Sequence, residues 1–185
     1  TFDLEDRLIF TIIREPYNHL ISHISWVRNL TQDPKRFNIH PKVVQDLAIK
    51  LDKINFENAP EVEEFVNQID GYALAAFENR QIRYFVDPSD AEWTTSTHKC
   101  KAIEMAKQIT YVGLFEEFEN SVNQILEILD QDENISLDMK PINSENKKAI
   151  QDIHAKLEIK SILYPLVCND LELYKAFLHA NISNS

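Results

Sequence analysis

Leu8-Ile9-Phe10-Thr11-Ile12-Ile13-Arg14-Glu15-Pro16 decides the fold. The first six residues are a short run rich in isoleucine, without the three-to-four spacing of a helix. Such a run reads as a strand buried on both faces. Pro16 suits the first position of a helix, where its missing N–H costs nothing. Tyr17, Leu20, Ile21, Ile24 and Val27 then recur at helical spacing to about Leu30. Strand, tight turn, helix is the unit from which the rest is built.

Downstream, Asp33 to Pro41 reads as a polar linker with two prolines. A helix is expected from Lys42 to about Asn55, with Val43, Leu47, Leu51 and Ile54 on one face. Pro60 opens another, apolar at Val62, Phe65, Val66 and Ile69. Tyr72 to Phe77 is apolar and leads into Glu78 to Phe85, whose state the pattern leaves open. Asp87 to Ser96 is a loop and Thr97 to Lys107 a helix. Ile109 to Leu114 reads as a second buried strand, and Ser121 to Leu129 as the helix behind it. Asp130 to Ile142 is polar. Ser144 is placed to cap a helix reaching Leu157, and Asn169 or Asp170 to cap the last one, which carries Leu173, Tyr174, Phe177 and Leu178. The expected architecture is α/β: one domain over residues 1–185, mostly helical around a small parallel sheet. Two strands make a poor core, so further strands are expected from sequence upstream of Thr1.

The chain has 185 residues, of which 44% are apolar, enough for one domain with a real core. Its apolar runs fall short of a bilayer span, which predicts no membrane segment in this stretch. Nineteen basic residues against thirty acidic ones give a net charge of −11. A domain this acidic repels polyanions, so nucleic acid and heavily sulfated polysaccharide are disfavoured as partners. A single small anion gripped by a few directed groups remains compatible. Cys100 and Cys168 form no metal-type cluster and favour free thiols in a reducing compartment over a disulfide, which points to a cytoplasmic chain, with a Golgi-lumenal or membrane-attached one left open.

Arg14 supplies such a grip. At the end of a strand its guanidinium can hold a phosphate in bidentate fashion. The helix opened by Pro16 would turn its free amides and positive dipole end to the same place. Ser22, eight residues after Arg14, adds a hydroxyl two turns along. The plainer alternative pairs Arg14 with Glu15 and packs Ser22 as an ordinary helical serine.

Arg14, Glu15, Pro16 and Ser22 resemble, in spacing and context, the 3′-phosphate-binding motif of sulfotransferases. Three further segments resemble the carbohydrate-type branch in the same order. They are Asn79-Arg80-Gln81-Ile82-Arg83-Tyr84, Tyr111-Val112-Gly113-Leu114-Phe115-Glu116-Glu117-Phe118 and Asp170-Leu171-Glu172-Leu173-Tyr174. The resemblance implies a P-loop NTPase-like sulfotransferase fold that uses 3′-phosphoadenosine-5′-phosphosulfate (PAPS) and releases 3′-phosphoadenosine-5′-phosphate (PAP), with no metal. It assigns the donor's 3′-phosphate to Arg14 and Ser22. Many relatives have a second arginine where this chain has His19, whose neutral imidazole is a weaker contact. Asn79, Gln81 and Arg83 are candidates to line the acceptor or donor cleft, and the acceptor would be a small molecule or carbohydrate. The phosphosulfate loop and the base commonly lie upstream of the strand in this family. The fold is therefore expected to be incomplete at its N-terminus, and no catalytic residue is singled out here. The alternative is a sulfotransferase-like interaction module without catalysis.

His19 and His23 share a helix face at a spacing that suits a metal, but no acidic metal motif accompanies them. Trp26 and Trp93 could stack on a base or sugar, although packing is the commoner use of such rings.

Overall fold

A computed structural model describes residues 8–86, 92–129 and 157–183 of the chain. Its sheet is the pair β1 (Phe10–Ile13) and β2 (Tyr111–Leu114), parallel and in register from Phe10 opposite Tyr111 to Ile13 opposite Leu114. The Ile9 carbonyl extends the ladder by accepting from the Thr110 and Tyr111 amides. Parallel neighbours need a crossover, and the helices between the two strands provide it.

β1 is less enclosed than its isoleucine-rich run predicts, whereas β2 buries Val112, Gly113 and Leu114 as expected of the second strand. Ile13 is buried, but Phe10, Thr11 and Ile12 are half-buried. Each strand has one partner among the described residues, so neither is sealed by a sheet on both sides. Ile13, Val112 and Leu114 instead form a small cluster against Ile109, Tyr174, Phe177 and Leu178.

The larger core belongs to the helices. Helix α1 (Pro16–Asn29) buries Tyr17, Leu20, Ile21, Ile24 and Val27, and packs on α3 (Lys42–Asp52). The supposed linker between them holds a short helix, α2 (Pro34–Ile39). There the Asp33 carboxylate accepts from the Lys35 and Arg36 amides and Pro34 takes the first turn, a complete start signal inside a polar stretch. Helices α4 (Ala59–Asn67) and α5 (Gly71–Phe77) follow. The open segment after them resolves into a turn at Glu78 to Gln81 and the one-turn helix α6 (Ile82–Phe85). Helix α7 (Ser96–Ala106) leads to β2, and α8 (Phe118–Ile128) leaves it. The helix Leu157–Leu163 packs on α4, and the C-terminal helix Cys168–Ser183 packs on α7. The expected loop at 130–142, the Ser144 cap and the chain up to residue 156 lie outside the described residues.

Gly113 decides how closely β2 and α8 approach. A Cβ at this glycine would stand 2.6 Å from Ser121 Cβ. The close approach lets Ser121 Oγ accept from the Leu114 amide at 2.9 Å and donate to the Leu114 carbonyl at 3.0 Å. No described helix is long and apolar enough to cross a membrane, and Cys100 and Cys168 are both free thiols.

Candidate functional site

The site begins where β1 ends. The Arg14 amide donates to Gln81 Oε1 at 2.8 Å, and Gln81 Nε2 donates to the Arg14 carbonyl at 2.8 Å. The Gln81 amide thereby continues the ladder one residue beyond the strand and locks the backbone from which the arginine projects. The half-buried guanidinium lies over the Phe115 ring, 4.7 Å from its centre. Its Nε is buried and has no hydrogen-bond partner among the described residues. Burial lowers the Arg14 pKa, while the charges of Glu116 and Glu15 oppose that shift.

The start of α1 is already occupied. Glu15 Oε2 accepts from the Asn18 amide at 2.8 Å, and the Glu15 carbonyl accepts from the His19 amide at 2.9 Å. The Glu15 amide donates to Glu116 Oε1 at 2.9 Å, and Glu116 Oε2 accepts from the Tyr174 hydroxyl at 3.2 Å. This corrects the expectation that free helix amides face an anion. The helix caps itself, so an anion beside Arg14 would be held by side chains along the flank of α1.

That flank carries His19, Ser22 and His23, all half-buried. The His19 ring meets His23 with centres 6.4 Å apart and Tyr84 with centres 6.2 Å apart. Arg80 reaches the same place from the turn before α6, its guanidinium 5.1 Å from the centre of the Tyr84 ring. Arg80 Nη1 donates to the Ala75 carbonyl at 3.1 Å, but its buried Nε has no partner among the described residues. Burial pushes the His19 pKa down to about 4, helped by His23, Arg14 and Arg80. Burial likewise pushes His23 down to about 4, with Arg80 adding to it and a hydrogen bond to the Ala76 backbone opposing. Two guanidinium groups thus frame a pair of neutral imidazoles. Among the described residues no three His, Cys, Asp or Glu side chains gather as a metal site. Trp26 is exposed at the edge of this flank, its ring centre 5.9 Å from that of His23 and 5.5 Å from that of His40, whereas Trp93 is exposed elsewhere.

Asn79, Gln81 and Arg83 take interior positions rather than the wall of a cleft. Asn79 is fully buried with φ at +41°, and its Oδ1 accepts from the Asn169 and Asp170 amides at 2.8 and 2.9 Å. It is therefore Asn79 that satisfies the start of the C-terminal helix, the role assigned from sequence to Asn169 or Asp170. Asp170 turns the other way and accepts from the Gln81 and Ile82 amides at 3.0 and 2.7 Å. Burial pushes its carboxyl up to about 7 against the pull of those two amides. Arg83 forms a buried ion pair with Glu78 at 2.8 Å. Glu78 also accepts from the Thr94 amide and hydroxyl and from Asn79 Nδ2. Gln81 thus fastens the turn to the end of β1 and Asn79 to the last helix, while Arg83 closes the turn on Glu78.

Arg80, Phe115 and Glu116 are the neighbours of Arg14 and His19 that sequence did not single out. Arg80 occupies an unspecified position inside the segment Asn79 to Tyr84. Phe115 and Glu116 lie in the segment read as the exit of a strand. Nothing local to either stretch indicates that β1–β2 pairing brings Phe115 and Glu116 to Arg14.

No curated protein and no solved structure matches the chain. A family model described as "Sulfotransferase family" matches residues 3–176. That span contains the strand, the turn, the flank of α1 and the welded segment, and the chain belongs to the sulfotransferase family.

Proposed function

We propose that the chain takes part in sulfuryl transfer from PAPS to a hydroxyl or amine acceptor, with Arg14 and Ser22 holding the donor's 3′-phosphate. The observation that carries this is the buried Arg14 Nε at the end of β1, which has no partner among the described residues. A buried N–H with no acceptor is rare in folded proteins and calls for a ligand or water. A phosphate oxygen is the acceptor that a guanidinium fork matches best. Ser22 offers a hydroxyl farther along the same flank, and His19 between them is a neutral contact.

Sulfuryl transfer is a displacement at sulfur. The acceptor oxygen or nitrogen bonds to sulfur, the bond from sulfur to the donor's phosphate oxygen breaks, and the acceptor loses a proton. As in phosphoryl transfer, positioning and positive charge supply most of the acceleration. Arg14 and Ser22 act remotely: they fix the nucleotide so that sulfur lies in line with the acceptor. Gln81 is a positioning residue here, because it holds the Arg14 backbone by two hydrogen bonds. The net charge of −11 favours a small-molecule or neutral carbohydrate acceptor over a polyanion.

Calorimetric titration with PAP tests the donor assignment. Arg14→Ala should weaken PAP binding by roughly 2–4 kcal/mol, the cost of removing one partner of a charge-assisted contact. Equal affinity in the variant would remove Arg14 from the site. Absence of PAP binding by the wild-type protein would favour a non-catalytic module.

A further inference from the structure

Arg80 repeats the chemical predicament of Arg14. Both have a buried Nε–H without an acceptor, and they are the two side chains with such an atom among the described residues. Arg80 makes no ion pair among those residues. Its anchoring is partial: Nη1 donates to the Ala75 carbonyl, and the guanidinium lies against Tyr84. Tyr84 in turn meets His19, whose centre lies 6.2 Å away, so the ring links Arg80 to the flank that carries Ser22. A guanidinium oriented by a carbonyl and a ring, with its inner N–H unspent and its charge unpaired, has the form of an unfilled anion ligand.

We propose that Arg80 is a second cationic ligand of the phosphate gripped by Arg14, so that one phosphate monoester is held by two guanidinium groups across His19. This rests on the donor-binding reading above. His19 and His23 are kept neutral by burial and by the nearby arginines, and so bring no charge of their own. The positive charge that meets a phosphate dianion there comes from Arg14 and Arg80. Arg80 enters from the turn before α6, which Gln81 fastens to the Arg14 backbone, so both arginines are held in one frame.

The test compares PAP with adenosine 5′-phosphate, which lacks the 3′-phosphate, by calorimetry on the full chain and its Arg14→Ala, Arg80→Ala and Arg80→Lys variants. The wild type should prefer PAP. Arg80→Ala should reduce that preference roughly tenfold or more while leaving affinity for adenosine 5′-phosphate unchanged, and lysine should restore part of it. If Arg80→Ala keeps the full preference while Arg14→Ala loses it, Arg80 is not a ligand and the donor site stands. If the wild type shows no preference for PAP, the donor reading itself fails and this inference falls with it. Nuclear magnetic resonance of the wild-type Arg80 Nε–H covers the case in which the alanine variant does not fold. That resonance should shift and exchange more slowly with water as PAP is added, and an unmoved signal would overturn the proposal.

Discussion

Glu116 sets the electrostatic balance at Arg14. Its carboxylate bonds the Glu15 amide and the Tyr174 hydroxyl, and its charge acts on the Arg14 guanidinium. A dianion arriving at Arg14 meets this negative charge, whereas an amide could keep the hydrogen bond to Glu15. Glu116→Gln should therefore strengthen PAP binding a few-fold, a change of about 1 kcal/mol or less for a partly screened charge. Weaker binding in that variant would show that Glu116 aids the site by holding it in place. Sequence placed Arg14 at a strand end and Ser22 on the flank of α1 because strand composition, proline and helical spacing are local features. Their pairing as phosphate ligands came from the family resemblance and is part of the proposal. Arg80 and Glu116 could not be placed in this way, since each becomes a neighbour of the flank only through contacts between distant segments.

At the scale of elements, the turn from Glu78 to Gln81 is the joint of the fold. Asn79 takes a left-handed backbone conformation there and caps the C-terminal helix, while Asp170 returns two bonds to Gln81 and Ile82. Asn79→Ala would keep the unfavourable φ and leave the Asn169 and Asp170 amides without their acceptor. A loss of roughly 2–3 kcal/mol is expected in denaturant unfolding; a loss below 0.5 kcal/mol would mean that the cap is dispensable. Gly113→Ala probes the other joint, where the added methyl would press on Ser121. Overpacking of this kind costs about 1–3 kcal/mol, and truncating the neighbour in Gly113→Ala/Ser121→Gly should recover part of it.

For the whole molecule, pH acts on the flank of α1. His19 and His23 are depressed from the ordinary 6.5 to about 4, so the unfolded chain takes up these protons first as pH falls. Each therefore withdraws stability between about pH 6.5 and 4. Asp170, raised to about 7, acts in the opposite sense: the fold binds its proton more tightly, which adds stability as pH falls from about 7 towards 4. Comparing His19→Gln/His23→Gln with the wild type isolates the imidazoles, because Asp170 is common to both. The variant should lose less melting temperature between pH 7 and pH 5, and parallel curves would show that the two rings are wet. Removing Glu78 should affect the whole fold, since Arg83 would remain as a buried charge; a cost of about 3–5 kcal/mol is expected in global unfolding.

Sequence by itself determined the strand–turn–helix unit, the parallel α/β plan and the position of Arg14, because periodicity, proline placement and strand composition act within a few residues. It could not determine that Asp33 starts a helix inside a polar stretch, since capping competes there with a composition typical of loops. Nor could it show that Asn79, Gln81 and Arg83 face inward: a polar residue that closes a buried network and one that lines a cleft have the same letters. Tertiary structure alone decided which residues surround Arg14. β1–β2 pairing carries Phe115 and Glu116 to Arg14, and the Gln81 clamp sets Arg80 beside His19. Those neighbours are about a hundred and about sixty residues apart in the chain, so only packing could bring them together.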